Sequence, residues 1–321
     1  MRRVFTLTIL LMCCAATAFG EFKYAGQWGS PGAAAGEFNA PTGIAVAANG
    51  RVYVADAFNH RVQYFTAQGS FVGQWGSRGS GKGQFVYPYD VAIAPNGNVY
   101  VADFDNNRVQ YFKANGSFVG LWGEYGILPG FFYNPHGIAV APGGNVYVAD
   151  TLNNRVQYFT RTGSFKGTWG TKGAGDGQFQ QPICLAVGPQ GNVYVADQLN
   201  HRVQYFDAKG NFRGKWGTKG YGWGQFEYPS AVEASGDYHV YVADYSWHQV
   251  QYFTPTGSYL DKWGGQGTAN GEFRFPDGVA VSPAGTTVYV ADTGNNRIQY
   301  FTRVEPAVAP SSLGRVKALF R

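Results

Sequence analysis

Three kinds of side chain in this 321-residue sequence could carry chemistry. The first is the trio Asp56, Asn59 and Arg61, a carboxylate, an amide and a guanidinium within six residues. It returns as Asp103, Asn106 and Arg108, and again at Asp150, Asp197 and Asp292. A catalytic site is normally unique, whereas a loop-bracing hydrogen bond is needed in every copy of a repeated unit, so the trio reads as structural. Where the pattern breaks, Asp244 is followed by Trp247, His248 and Gln249, which reads either as a partner contact at Trp247 or as drift in one blade. The second kind is the acids Asp90, Glu233 and Asp277, in or beside innermost strands where neighbouring copies carry Gly, Ala or Thr. Carboxylates at such positions suit either a weak site for a hard divalent cation or plain surface and channel hydration. The third kind is His136 and Cys184. One histidine falls short of the three protein ligands of catalytic zinc, and a lone cysteine among apolar neighbours reads as a small buried hydrophobe. The sequence holds no Gly-x-Ser-x-Gly, phosphate loop or Cys-x-x-Cys pair.

The elements that position these residues are set by a repeat. Trp28, Trp75, Trp122, Trp169, Trp216 and Trp263 follow one another at 47-residue intervals, each followed by Gly. An Ala-Asp dipeptide keeps step with them and ends at Asp56, Asp103, Asp150, Asp197, Asp244 and Asp292. Each copy holds four runs of four to six residues rich in Val, Ile, Tyr and Phe, bounded by Gly, Asn, Asp or Pro. This is the signature of short strands and tight turns, and four antiparallel strands per unit of about 45 residues make a propeller blade. The expected fold is therefore all-β, a six-bladed β-propeller of four-stranded antiparallel blades. The last copy lacks its fourth strand, and Tyr24 to Gly29 matches Phe71 to Gly76, so the N-terminal strand should complete the last blade and close the ring. Closure removes an exposed edge, and a monomer is expected.

A unit reading Phe-x-x-Pro-x-Gly-Ile-Ala-Val, then Val-Tyr-Val-Ala-Asp-x-x-Asn-x-Arg-Val-Gln-Tyr-Phe, closely resembles the NHL repeat, and the resemblance runs from residue 21 to 303. It implies a recognition surface on the face shared by the loop entering the innermost strand and the loop between strands two and three. Two variable positions per blade converge there: the residue after the repeat Pro and the residue after the repeat Asp. Thr42, Tyr89, Phe104, His136, Ser230, Tyr245 and Asp277, with Trp247, are the candidate binding rim. The resemblance also reaches amidating lyases, which place zinc-binding His after the Pro of several blades; here only His136 does so. Gluconolactonase-type propellers hold a divalent metal at the channel mouth, where Asp90, His136, Glu233 and Asp277 are the candidate ligands.

The first twenty residues carry Arg2 and Arg3, an apolar run from Phe5 and small residues at Ala16 to Ala18, the layout of a secretory signal peptide. The expected division is a leader over 1–20, the propeller over 21–303, and a linker and tail over 304–321. A secreted or periplasmic protein follows, with Cys184 its single remaining thiol. The formal charge of +5 includes Arg2 and Arg3 and is too small to argue for nucleic acid, and no second apolar stretch is long enough to span a membrane. The reading is a scaffold, without catalytic residues or cofactor, that binds a protein, peptide or glycan on the loop face. The alternative is a metal-assisted hydrolase or lyase of the lactonase or amidating-lyase type, with a divalent cation at the channel mouth.

Overall fold

The computed structural model describes residues 21–304, and the leader and the tail beyond Val304 lie outside them. Six four-stranded antiparallel sheets are arranged as the repeat requires. The first is formed by Pro41–Val46, Val52–Asp56, Arg61–Phe65 and Phe71–Trp75, in that order from the axis outwards. The second strand, Val-Tyr-Val-Ala-Asp, is buried along its whole length in the first five blades, because both of its faces pack on neighbouring blades. The outermost strand alternates exposed and half-buried residues, as expected of a strand with one face in water.

The sixth sheet joins Pro276–Val281, Thr287–Asp292 and Arg297–Val304 to the N-terminal strand Glu21–Trp28. The closing pair runs from Glu21 opposite Val304 to Trp28 opposite Ile298. One detail was not legible in the repeat. In five places a Gly of an outer hairpin turn lies flat against a repeat tryptophan, as Gly69 does on Trp28 and Gly257 on Trp216. At the sixth tryptophan the chain ends meet and there is no such turn. Phe22 fills the position instead, its ring stacked on Trp263 at 5.0 Å and edge-on to Tyr241 and Tyr252.

The tryptophans wedge between blades: Trp28 packs on Phe65 of the first blade and on Tyr289 and Tyr300 of the sixth. All six indole N–H groups are buried without an acceptor among the described residues, so these side chains act as apolar filler.

The Asp-Asn-Arg trio is the brace that the sequence suggested. Asp56 accepts from Arg61 Nε at 2.7 Å and from Asn59 at 2.9 Å, while the Arg61 guanidinium donates to the carbonyls of Ala33, Ala34 and Glu37. Asn59 reaches the carbonyl of Gly32. The trio thus ties the loop entering the blade to the loop between its second and third strands, which places both on one face. In the fifth blade the indole N–H of Trp247 donates to the carbonyl of Gly220 at 2.8 Å, the bond made elsewhere by the Asn amide. Asp244, without the usual Arg, keeps the bond from the backbone N–H of Glu227 that the other blades also make and accepts further from those of Tyr228, Ser246 and Trp247.

Candidate functional site

Each blade presents its entry loop through a backbone constraint. The residue before the repeat Pro takes a left-handed conformation in five blades: Ala40, Tyr87, Asn134, Gln181 and Phe275 all have φ between 51° and 57°. Such φ values are uncommon for residues other than Gly, and a residue before Pro ordinarily sits in the extended region, so something must hold them. The holder is the previous blade. Asn296 Oδ1 accepts from the N–H of Ala40, Asn107 Oδ1 from that of Asn134, and the ring nitrogen Nδ1 of His60 and of His248 accepts from Tyr87 and Phe275. Nδ1 is therefore the unprotonated nitrogen in His60 and His248, and burial pushes both histidines below their ordinary pKa. His201 is reversed: its Nδ1 meets the carbonyl of Glu227, which can only accept.

These loops enclose a bowl of about 730 Å³ around the axis. One wall is an aromatic cluster from the second and third blades, with Tyr89 against His136 at 4.1 Å and against Phe104 at 4.8 Å. The opposite wall is Tyr245 stacked on Phe275 at 4.8 Å, backed by His248. Phe58, Leu152 and Tyr228 complete the apolar lining. Below it, a channel of about 150 Å³ follows the axis between the innermost strands, lined by Asp90, Cys184, Ser230 and Glu233 among aliphatic residues. Tyr89, His136 and Asp277 line both spaces and form the neck between them.

The structure places the sequence candidates unevenly. Thr42, Tyr89, Phe104, His136, Tyr245 and Asp277 all line the bowl, although Thr42 is buried and its hydroxyl donates to the carbonyl of Tyr89. Ser230 does not reach the rim: it is 1% exposed and donates to the carbonyls of Pro276 and Ala243. Trp247 is not part of the bowl either, because its indole substitutes for the bracing Asn. Of the acids, Asp277 lies at the neck, and Asp90 and Glu233 lie in the channel. Asp90 bridges blades by accepting from the N–H of Ile138 at 2.9 Å. Cys184 does the same between the fourth and fifth blades, accepting from the N–H of Val232 at 3.4 Å. No group of three or more His, Cys, Asp or Glu side chains among the described residues could hold a metal ion.

Burial governs the electrostatics. It raises Asp277 and Asp90 to about 7 and Glu233 to about 8, with the charge of Asp277 adding to Asp90 and that of Asp90 adding to Glu233. It lowers His136 to about 4, so the imidazole packed against Tyr89 is neutral at neutral pH. Tyr89 is pushed up to about 12 by burial and then by the charge of Asp277, and the same two causes raise Tyr245. Asp277 thus sits within electrostatic reach of both aromatic walls.

Two further features were not anticipated. Phe275 occupies the pre-proline position, which the sequence reading had not counted as variable. Towards the outside of the ring, Ile127 is 74% exposed beside Tyr125 and Leu128, and Trp223 is 79% exposed with its ring stacked on Tyr259 of the fifth blade's outermost strand. The corresponding entry loops elsewhere carry Ala33 and Ala35, Ser80 and Lys82, Ala174 and Asp176, or Thr268 and Asn270.

A family model described as the NHL repeat matches residues 132–159, 179–206 and 273–301, and one described as a 6-bladed beta-propeller matches residues 36–121. A comparison with curated protein sequences finds no match. Among solved structures, the chain is similar to a chain of a nidogen/laminin complex, with 18% identity and a TM-score of 0.55 over 69% of this chain and 79% of that one. It is similar to a streptogramin B lyase, with 15% identity and a TM-score of 0.59 over 83% and 94%. It is also similar to a structural genomics protein of unknown function from Bacteroides thetaiotaomicron, with 17% identity and a TM-score of 0.66 over 86% and 76%. At these identities the likeness is one of fold.

Proposed function

Because the chain is a six-bladed β-propeller carrying NHL repeats, we propose that it is a recognition scaffold that receives a protein, peptide or glycan partner in the bowl on its loop face. The observation that carries this reading is the pair of aromatic walls, Tyr89 with Phe104 and Tyr245 with Phe275, facing each other across about 730 Å³. Pockets of this size lined by aromatic groups and a few polar ones are where ligands are held, and Tyr and Trp anchors carry most of the energy of such contacts. The exposed Ile127 and Trp223 loops towards the outside of the ring add apolar surface that a macromolecular partner could cover. With the apolar leader that precedes residue 21, the scaffold is proposed to act after export, in the periplasm or outside the cell. Metal-assisted hydrolysis or lysis stands as the alternative proposal, with Asp90, His136, Glu233 and Asp277 as its residues.

The test is a peptide and glycan array probed with the wild-type protein and with Tyr89→Ala and Phe104→Ala combined. Ligands captured by the wild type are expected to lose about tenfold or more in affinity to the double variant, the weight of one or two aromatic anchors. Capture that is indifferent to both substitutions would remove the bowl as the binding site.

A further inference from the structure

The chemistry of the bowl narrows what it can hold. Its lining includes no Lys or Arg, and the carboxyl of Asp277 is at its neck, with Asp90 and Glu233 beneath. An anionic ligand would meet like charge and no counter-charge. Of the polar groups that line the bowl, the hydroxyls of Thr42, Thr151 and Thr293 already donate to the carbonyls of Tyr89, Pro182 and Pro41, which leaves the amides of Gln181 and Gln198 and the tyrosine hydroxyls to a neutral ligand higher in the bowl. The amide oxygen of Asn296 likewise holds the N–H of Ala40. A divalent metal wants six or more oxygen ligands, whereas the groups around Asp277 are mainly aromatic rings. The neck itself, where the Asp277 carboxyl lies with the rings of Tyr89 and His136, suits a cation that accepts ring faces in place of oxygens. An ammonium group does so, because the negative face of an aromatic ring attracts it and a carboxylate supplies the full counter-charge.

We propose that the neck of the bowl binds a protonated organic amine, its ammonium group against the Asp277 carboxylate and its carbon skeleton between the Tyr89 and Tyr245 walls. The inference rests on the bowl being the recognition site and names the ligand chemistry of that site. The amine comes either from a small molecule or from a lysine side chain of a protein partner, since both present the same group.

The seat has a pH dependence of defined sign. Of the groups that face Asp277, Tyr89 and Tyr245 on the walls and Cys184 in the channel are held in their neutral forms by burial, and His136 is neutral above about 4. Asp90 in the channel titrates with Asp277 near 7, and Glu233, which acts on Asp90, near 8. All three become anionic as pH rises, while an alkyl amine stays protonated to about pH 10. Amine affinity should therefore rise from pH 5.5 to pH 8.

The experiment is titration calorimetry on the wild-type protein with phenethylamine and with 2-phenylethanol, which has the same shape without the charge. At pH 8 phenethylamine is expected to bind about tenfold or more tightly than the alcohol, the weight of a partly desolvated cation with both a ring and a carboxylate. This preference should vanish at pH 5.5 and in Asp277→Asn. The pH arm needs no variant and stands even if the substitution disturbs folding. A blocked Gly-Lys-Gly peptide and its norleucine counterpart separate the sources. A stronger lysine effect than phenethylamine effect assigns the site to a protein partner, and the reverse assigns it to a small amine. Equal binding of amine and alcohol would overturn the cation inference while leaving the bowl as a binding site. Failure of amine, alcohol and lysine peptide alike would also overturn it, and the array result would then judge the bowl separately.

Discussion

A chain lacking residues 21–29 is expected to lose the single cooperative melt of the intact ring and to self-associate. The deleted strand supplies the whole outer edge of the sixth blade, pairing from Glu21 to Trp28 against Arg297–Val304. It also supplies Trp28, the wedge between the sixth and first blades, and Phe22, the cover of Trp263. Gln27 accepts from the Arg297 guanidinium at 2.8 Å, so the brace of the sixth blade loses a partner as well. Removing a buried aromatic side chain costs about 3–5 kcal/mol, and a domain of this kind is stable by roughly 5–15 kcal/mol in total. Two such losses and an unpaired strand are enough to abolish the closed ring, and the exposed edge of Arg297–Val304 is a template for pairing with another chain. Phe22→Ala is the graded version, expected to cost about 3 kcal/mol or more without opening the strand pairing. Calorimetry and size-exclusion chromatography of the truncated chain test this. A melt within a few degrees of the parent, with a monomeric elution, would show that closure contributes nothing.

Glu233→Gln is expected to stabilise the protein at alkaline pH and to leave it nearly unchanged in acid. Glu233 occupies a position held by Ala in the other blades, such as Ala92 and Ala139, and lies in a channel lined mainly by aliphatic groups. Burial raises its folded pKa to about 8, well above that of an exposed carboxyl. The folded state therefore holds a proton that the unfolded state releases at about 4.3, the ordinary value for Glu. Its contribution is fully favourable below that value and is lost as pH rises through about 8. Above that range the ring must accommodate an ionised carboxylate, which Gln avoids. The gain at pH 9 is on the order of 2–4 kcal/mol, allowing for hydration of the channel. That corresponds to about 3–7 °C in melting temperature for a domain of this size. Asp90 and Asp277 act in the same direction near 7, so the wild type should weaken steadily from pH 5 to pH 9 while the variant weakens less. Melting curves that run parallel from pH 5 to pH 9 would refute the buried-carboxyl account.

The architecture was legible in the sequence because each blade repeats its own instructions. The tryptophan interval set the number of blades, and the match of Tyr24–Gly29 to Phe71–Gly76 showed where the ring closes. Phe22 was not legible as the cover of Trp263, since no other copy has a counterpart where the chain ends meet. The bowl was legible in part. Tyr89, Phe104, His136, Tyr245 and Asp277 stood out as variable residues after the repeat Pro and Asp, and they do line one space. Phe275 escaped because its left-handed backbone is held by His248 of the preceding blade, a bond that no local pattern reveals. Trp247 was legible only as a departure from the pattern, because its residue type does not reveal that the indole N–H reproduces the bond of the amide it replaces. The exposed Ile127 and Trp223 loops are legible by the same copy-by-copy comparison, since most of their counterparts, such as Ala33, Ser80, Lys82 and Asp176, are small or polar.

The central claim is that the bowl on the loop face receives the ligand, and its most direct test is the crystal structure of the protein soaked with phenethylamine. The account predicts the compound in the bowl between Tyr89 and Tyr245, with its amine at Asp277. Binding confined to the outer Ile127 and Trp223 loops, or to the opposite face, with the bowl left to solvent, would contradict it.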